Sequence, residues 1–145
     1  MRLALDPPLD PGAYAHVHPI RARFAETDAM GVVHHASYLL YLEESRVAWM
    51  RERGHAYAEL RTEGIDFAVI EAFVQYRRPV RFDEVIDVHL AIGKLTRMTM
   101  QVGYLLTVAG EPRATAVTVH AGVDPTGRPA RMPAWVQDFV SITLG

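Results

Sequence analysis

The stretch RFAETDAMGVVHHASY, residues 23–38, runs directly into a helical pattern over residues 39–53. It places two carboxylates, a turn glycine and a pair of histidines just before the start of a long helix. The first backbone N–H groups of a helix have no partner inside the helix and readily bind anions. We therefore interpret this stretch as a functional site rather than as scaffold.

The helix is indicated by apolar residues at three-, four- and seven-residue intervals: Tyr38, Leu39, Leu42, Trp49 and Met50. We expect Ser37, or a residue just before it, to cap its N-terminus, and Gly54 to end it. With a rise of 1.5 Å per residue, the helix would be about 25 Å long. That length is enough to cross a whole sheet.

Alternating apolar residues predict a strand before the helix and four strands after it. A short helical piece and a short closing helix, the latter around Trp135, Phe139 and Val140, complete the chain. Only one crossover from strand to helix to strand exists, which excludes a doubly wound α/β fold. We predict an α+β fold with a curled antiparallel sheet around one helix. The predicted strands are Ile20–Phe24, Phe67–Tyr76, Val85–Ile92, Met98–Val108 and Arg113–Val123, and the helical piece is Tyr57–Thr62.

Length and composition favour one globular domain in the 145-residue chain. Residues 1–18, rich in proline and without periodicity, are predicted to form a flexible arm, and residues 19–145 a single domain. His16 and His18 in the arm receive no role. An exposed edge strand would remain in such a sheet, so we expect at least a dimer.

Charge and cysteine content exclude several function classes. The formal net charge of -2 gives no attraction for nucleic acid or for an anionic membrane surface. There are no cysteines, so thiolate metal sites and cysteine nucleophiles are excluded. No apolar run approaches the roughly 20 residues of a membrane span, and no signal peptide is recognisable. We expect a cytoplasmic protein.

Asp28 is the first candidate for catalysis. A carbonyl oxygen on the free N–H groups of the helix start would be polarised, and negative charge developing there would be stabilised. Asp28 would then attack that carbonyl or take a proton from water. The alternative is that Asp28 only caps a turn, and spacing alone does not separate the two. Glu26 is expected to point outward. The adjacent histidines should point in different directions, so no metal site is predicted.

Two motifs resemble those of a known family. They are F-x-E-T-D-x-x-G-x-V-x-H-x-x-Y-L-x-x-x-E-x-x-R over residues 24–46 and Y-x-x-P-V-x-F-D-E over residues 76–84. Together they resemble the 4-hydroxybenzoyl-CoA thioesterase family, the small bacterial acyl-CoA thioesterases with a hotdog fold. The similarity extends from Ile20 to about Val123 and, with this many fixed spacings, is far more specific than one short motif.

The resemblance implies a hotdog fold, dimers joined edge to edge that often pair into tetramers, and cofactor-free hydrolysis of an acyl-CoA at the dimer interface. By position, Asp28 matches the catalytic carboxylate, acting as nucleophile or general base. His35 matches the residue whose backbone N–H helps to form the oxyanion site, and Gly31 matches the glycine of the tight turn. His34 replaces an aromatic residue, often tyrosine, and Glu26 stands where aspartate is common.

The remaining candidates concern the substrate. We assign His34 and Tyr38 to substrate binding. For the CoA phosphates we assign Arg77, Arg78 and Arg97, and we consider Arg81 and Lys94 as further candidates. Ordinary solvated charges are the alternative for most of them. Three further residues, Met98, Met100 and Tyr104, are expected in the core rather than in an acyl tunnel.

Glu43 and Arg46, at i and i+3 on the helix, are expected to pair, either as support for the site or as a surface ion pair. Two other functions stay open beside the thioesterase: a hotdog hydratase or dehydratase, whose loop pattern is absent, and a non-catalytic acyl-CoA-binding protein.

Overall fold

A five-stranded antiparallel sheet packed on one long helix forms the protein, in a computed structural model that describes residues 6–139. The strand order is β1-β3-β4-β5-β2, which leaves β1 and β2 at the edges. This confirms the predicted α+β hotdog architecture. The elements are β1 (His16–Arg21), α1 (Ser37–Glu52), α2 (Tyr57–Thr62), β2 (Asp66–Tyr76), β3 (Val85–Leu95), β4 (Thr99–Val108) and β5 (Glu111–Val123), with 3-10 helices at Pro11–Ala13, Phe24–Glu26 and Ala134–Phe139.

One face of α1 meets alternate residues of the sheet in a single core. Tyr38, Leu42 and Trp49 of the helix are buried with Leu90 and Val102 of the strands. Leu39 was predicted on this face but is 45% exposed. The buried stripe instead runs through positions 38, 41, 42, 45, 48, 49 and 50, which follow the helical period and leave position 39 on the solvent side. Gly54, with φ +83°, follows the helix end as predicted.

The first strand was predicted wrongly. It covers His16–Arg21 rather than Ile20–Phe24, and residues 24–26 form a 3-10 helix. The reason is a side-chain contact: Glu26 Oε1 accepts the backbone N–H of Arg23 at 2.8 Å and closes a local turn. Local bonds of this kind compete with strand pairing. β1 therefore begins inside the predicted arm.

β1 connects to α1 through two histidines to which the sequence assigned no role. His18 Nε2 lies 3.0 Å from Glu44 Oε2, and the His16 ring stacks on Trp49 with 5.9 Å between ring centroids. These contacts join an edge strand to the central helix.

The other boundaries differ from the sequence predictions by at most three residues, several coincide with them, and α2 is where it was predicted. The residue capping α1 is Ala36, and the Ser37 hydroxyl instead donates to the Glu26 carbonyl at 3.1 Å. The closing helix is a 3-10 helix, and Val140 lies outside the described residues. Over residues 6–139, no helix combines the length and apolar character required to cross a membrane.

The edge strand β2 carries exposed apolar side chains. Val69, Ile70, Phe73 and Tyr76 are each about half exposed. A long edge strand with unpaired backbone groups is a surface on which another chain readily pairs. The feature favours edge-to-edge association, and the dimer stays a prediction.

Candidate active site

Asp28 begins a tight turn that is closed by local hydrogen bonds. Its backbone N–H donates to the Val32 carbonyl at 2.8 Å, and its carbonyl accepts the N–H of Gly31 at 3.0 Å. Gly31 has φ +76°, the left-handed conformation expected for the turn glycine. Asp28 Oδ1 accepts the Met30 N–H at 2.8 Å, which is the turn-capping role left open by the sequence. Within the described residues, Oδ2 receives no hydrogen bond.

Backbone hydrogen bonds connect the turn to the residues just before α1. The His34 N–H donates to the Glu26 carbonyl at 2.8 Å, and Thr27 forms a bridge with Val33. The Ala36 N–H donates to His34 Nδ1 at 3.1 Å. Across the described part of the chain, the backbone N–H of His35 has no acceptor. It is thus a free donor at the position predicted for the oxyanion site.

The two histidine rings stack on each other, with centroids 4.1 Å apart and planes at 28°. The expectation that they point in different directions was wrong. It holds for a strand or a helix, whereas residues 34–36 form a turn in which the Ser37 N–H bonds the His34 carbonyl at 2.9 Å. The structure places both rings on the surface. No group of three His, Asp or Glu side chains within residues 6–139 is arranged to hold a metal ion.

Tyr38 and Tyr76 support the helix start from the sheet side. Tyr38 is only 3% exposed and meets Tyr76 edge to face, with centroids 4.9 Å apart. The Tyr76 hydroxyl donates to the His35 carbonyl at 2.9 Å. Burial raises the pKa of both hydroxyl groups, so both stay protonated near neutral pH. Tyr76, which sequence reasoning did not place in the site, is the half-exposed ring at the surface. Its only sequence signal was its place in the second family motif.

Glu26 was expected on the surface and is instead buried at 8% exposure. Its carboxylate accepts hydrogen bonds from the Tyr41 hydroxyl at 2.8 Å and from Arg23 Nε at 3.1 Å, besides the Arg23 N–H. Burial alone would raise the pKa of this carboxyl. The Arg23 and Tyr41 hydrogen bonds, with the Arg23 charge, outweigh it and lower the pKa. Glu26 is therefore a charged anchor beneath the turn.

The predicted phosphate-binding residues fall into two groups. Arg77, Arg78 and Arg81 are exposed on the connection between β2 and β3. This connection touches the Asp28 turn, because the Val33 N–H donates to the Val80 carbonyl at 2.7 Å and Val32 forms a bridge with Arg81. Lys94 lies near the far end of β3 and Arg97 just after it, about 30 Å away along the strand. Within one chain the structure does not bring these two to the site.

Arg46 does not pair with Glu43, contrary to the expected ion pair. Its Nη1 donates instead to the hydroxyl of Tyr104 at 3.0 Å. This inward contact follows from the position of Arg46 at the edge of the buried face of α1. Tyr104 and Met100 belong to the core as predicted, whereas Met98 is 36% exposed.

Replacing Gly31 by alanine tests the turn. No atom lies within 4 Å of the position that a Cβ would take, so the cost comes from the backbone angle alone. We expect Gly31→Ala to lower the free energy of unfolding by about 1–2 kcal/mol and Gly31→Asn by less, because asparagine tolerates positive φ. Urea unfolding of the three proteins measures this. An alanine variant as stable as native protein would contradict the turn geometry.

Buried histidines make the free energy of unfolding vary with pH, and they do so mostly at higher pH than the carboxylates. Burial, reinforced by the Arg46 charge, lowers the pKa of His120 to about 3, and burial also lowers the pKa of His16 and His89. Unfolded histidines titrate near pH 6.5, so below that pH the unfolded chain binds more protons and stability falls. We expect a loss of up to about 1.4 kcal/mol per pH unit from His120 between pH 6.5 and 4.5.

Urea unfolding at pH 7.0, 5.5 and 4.5 tests this pH dependence. His120→Gln removes one titrating group, so its stability should fall less steeply with pH than that of native protein. Equal slopes would show that His120 is not held neutral. The lowered pKa values of Glu26 and Glu84 add to the loss of stability only as the pH approaches about 4.5, where unfolded glutamates gain protons, and they act equally on native protein and variant.

Comparison with known proteins places this chain in a family. Residues 22–140 match the model of the thioesterase-like superfamily. YneP of Bacillus subtilis, which carries a provisional acyl-CoA thioesterase name, is 33% identical over 106 residues, 72% of this chain and 77% of its own. The 1,4-dihydroxy-2-naphthoyl-CoA hydrolase of Synechococcus elongatus is 31% identical over 127 residues, 83% of this chain and 91% of its own.

A solved structure from Aquifex aeolicus, described only as a hypothetical protein, is similar with a TM-score of 0.82 and 32% identity, over 87% of this chain and 99% of that one. The 4-hydroxybenzoyl-CoA branch of the family is not singled out by these similarities. The superfamily match covers most of the chain and agrees with the fold, so this protein belongs to the thioesterase-like superfamily of hotdog proteins.

Proposed function

We propose that this protein hydrolyses the thioester bond of an acyl-CoA. The observation that carries the proposal is that one hydrogen-bonded segment presents two free groups. Asp28 Oδ2 is a carboxylate oxygen without a hydrogen bond, and the His35 N–H just before the helix is a donor without an acceptor. The family membership and the acyl-CoA hydrolase names of two relatives support it.

In the proposed reaction the thioester carbonyl oxygen accepts a hydrogen bond from the His35 N–H. Negative charge that develops on this oxygen is then stabilised by the backbone donor and by the positive end of α1. Asp28 either removes a proton from water, which attacks the carbonyl carbon, or attacks it directly to form an anhydride that water opens. In both routes the C–S bond breaks, the sulfur takes a proton, and the acyl group leaves as the acid.

Substrate recognition is proposed to involve the same end of the molecule. Arg77, Arg78 and Arg81 offer guanidinium groups for the CoA phosphates, and the stacked rings of His34 and His35 lie beside the Asp28 turn. Arg97 would take part only if a second copy, paired through edge strand β2, supplied it. We therefore keep the dimer as part of the proposal.

Release of free CoA thiol from short-chain, long-chain and aromatic acyl-CoAs tests the activity and identifies the acyl class. Turnover of at least one class that saturates with substrate is the expected result. No thiol release from any acyl-CoA by well-folded protein would favour a non-catalytic acyl-CoA-binding protein. The Asp28 Oδ1 contact with Met30 is the observation that favours that second function, since it is what a turn residue makes.

The two roles of Asp28 differ in where water oxygen enters. In a single turnover in ¹⁸O-labelled water, label in the Asp28 carboxylate would show a nucleophilic Asp28, because it enters when water opens the anhydride at the Asp28 carbonyl. A general base would leave the protein unlabelled and put all label in the acid, as would opening of the anhydride at the acyl carbonyl. Mass spectrometry of the peptide that contains Asp28 measures the label, and trapping of the anhydride with hydroxylamine separates the last two cases.

A further inference from the structure

A cavity of about 250 Å³ lies against the second half of α1, away from the Asp28 turn. Arg46, which lines it, is nine residues after Ser37, which corresponds to about 14 Å along the helix. Most of the lining is apolar, and exposed Glu43 and Val69 form part of it, so the cavity opens to solvent. An apolar cavity of about 150 Å³ is enough for benzene, so this one accommodates a small organic molecule.

A chain of hydrogen bonds through the core connects Arg46 with His120, both of which line the cavity. Arg46 donates to the Tyr104 hydroxyl, which lies 2.6 Å from Thr118 Oγ1, and this oxygen lies 2.7 Å from His120 Nε2. A guanidinium only donates, so the Tyr104 oxygen accepts. Every hydroxyl hydrogen then finds a partner if Tyr104 donates to Thr118 and Thr118 donates to His120 Nε2.

This direction makes His120 a donor at its other nitrogen. A neutral ring that accepts at Nε2 carries its hydrogen on Nδ1. His120 is 1% exposed, and the Phe67 backbone is in hydrogen-bonding contact with its ring, so this donor does not call for an outside acceptor. The indole N–H of Trp49, which also lines the cavity and is 3% exposed, has no partner in the described part of the chain. A buried donor without a partner is costly and points to an acceptor that is absent from the protein itself.

The unpaired positive charge of Arg46 indicates that the missing acceptor is an anion. Arg46 forms no ion pair with a described carboxylate, and its guanidinium has more N–H donors than the Tyr104 contact uses. A carboxylate accepts several hydrogen bonds from a guanidinium and neutralises it. The rest of the cavity lining is apolar, so the molecule that carries this carboxylate should also have an apolar part that packs against it.

We propose that this cavity binds a small organic acid, a carboxylate attached to a compact apolar ring or branched chain. The acid is bound at a site separate from the Asp28 turn, with its carboxylate on Arg46 and the Trp49 indole N–H and its body against the apolar lining. The proposal does not depend on thioesterase activity.

Both tryptophans of the chain, Trp49 and Trp135, line the cavity, so intrinsic fluorescence reports on its occupancy. The probe is cyclohexanecarboxylate, compared with neutral cyclohexanecarboxamide and with acetate, which lacks the body. We expect a saturable fluorescence change with a dissociation constant of about 0.1–1 mM for the acid and responses at least about tenfold weaker for the other two. Equal responses to acid and amide would overturn the proposal, as would the absence of saturation.

Variants locate the site. Arg46→Gln should weaken binding about tenfold, whereas Arg51→Gln, an exposed arginine on the same helix outside the cavity, should not change it. Glu43→Gln removes the carboxylate at the opening and should tighten binding about two- to fivefold, which keeps the test valid if Arg46→Gln misfolds. Binding that responds to Asp28→Asn but not to Glu43→Gln or Arg46→Gln would place the acid in the active site and overturn the proposal.

Discussion

Asp28→Asn is expected to lower the rate of thioester hydrolysis about 10²–10⁴-fold without unfolding the protein. Asparagine keeps an oxygen in the place of Oδ1, so the bond from the Met30 N–H that shapes the turn survives. What disappears is the negative charge and basicity of the group that activates water or attacks the carbonyl. Thiol release under saturating acyl-CoA, with circular dichroism on the same samples, measures both parts of the prediction.

Asp124→Asn is a matched control for this substitution. Asp124 Oδ1 accepts the backbone N–H groups of Thr126 at 2.9 Å and of Arg128 at 3.0 Å, so it caps a turn as Asp28 does. The turn follows β5 and shares no contact with the Asp28 loop among the interactions of residues 6–139. The control should keep near-native activity. If both variants retain activity within a few-fold of native protein, Asp28 is a structural turn residue only.

Glu26→Ala is expected to lower the free energy of unfolding by about 2–4 kcal/mol, the largest stability effect we predict for a side chain near the site. The substitution leaves the Tyr41 hydroxyl and the Arg23 N–H without the acceptor they use in the folded protein. Because Arg23 itself is 76% exposed and can turn to water, the lower part of that range is expected. Urea unfolding at pH 7 measures the change.

Glu44→Ala serves as the control, since it removes an exposed glutamate of α1 whose side chain, among residues 6–139, is bonded to His18 alone. It should cost less than about 1 kcal/mol. Glu26→Gln should fall between the two, because the amide oxygen still accepts one of the hydrogen bonds. Identical unfolding curves for Glu26→Ala and Glu44→Ala would show that the buried carboxylate does not anchor the turn.

Features set by neighbouring residues were predictable from the sequence. The alternation from Met98 to Val108 predicted β4, and the spacing of Asp28 and Gly31 predicted the turn, because both patterns arise within a few residues. The prediction of the first strand was wrong because a second local pattern was overlooked. Ile20, Ala22 and Phe24 alternate, but the Glu26 side chain accepts the Arg23 backbone N–H and stabilises a turn in place of strand pairing.

Contacts across long stretches of chain were not predictable. Glu26 meets Tyr41, Arg46 meets Tyr104 and Tyr76 meets the His35 carbonyl across 15, 58 and 41 residues respectively. Such contacts depend on strand register and on the depth at which the helix lies on the sheet. Periodicity indicates which face of an element is buried, but not which residue it faces.

The backbone contacts between the Asp28 turn and the connection after β2 have a kinetic consequence. Val33 is bonded to Val80, and Val32 pairs with Arg81, so the reacting group and the proposed phosphate-binding arginines move as one piece. In the proposed enzyme, a change that loosens this junction would raise KM and lower kcat together. Residues of the proposed enzyme that contact the acyl group outside this junction would be under no such constraint, so acyl specificity could diverge in evolution while the handling of the CoA carrier stays constant.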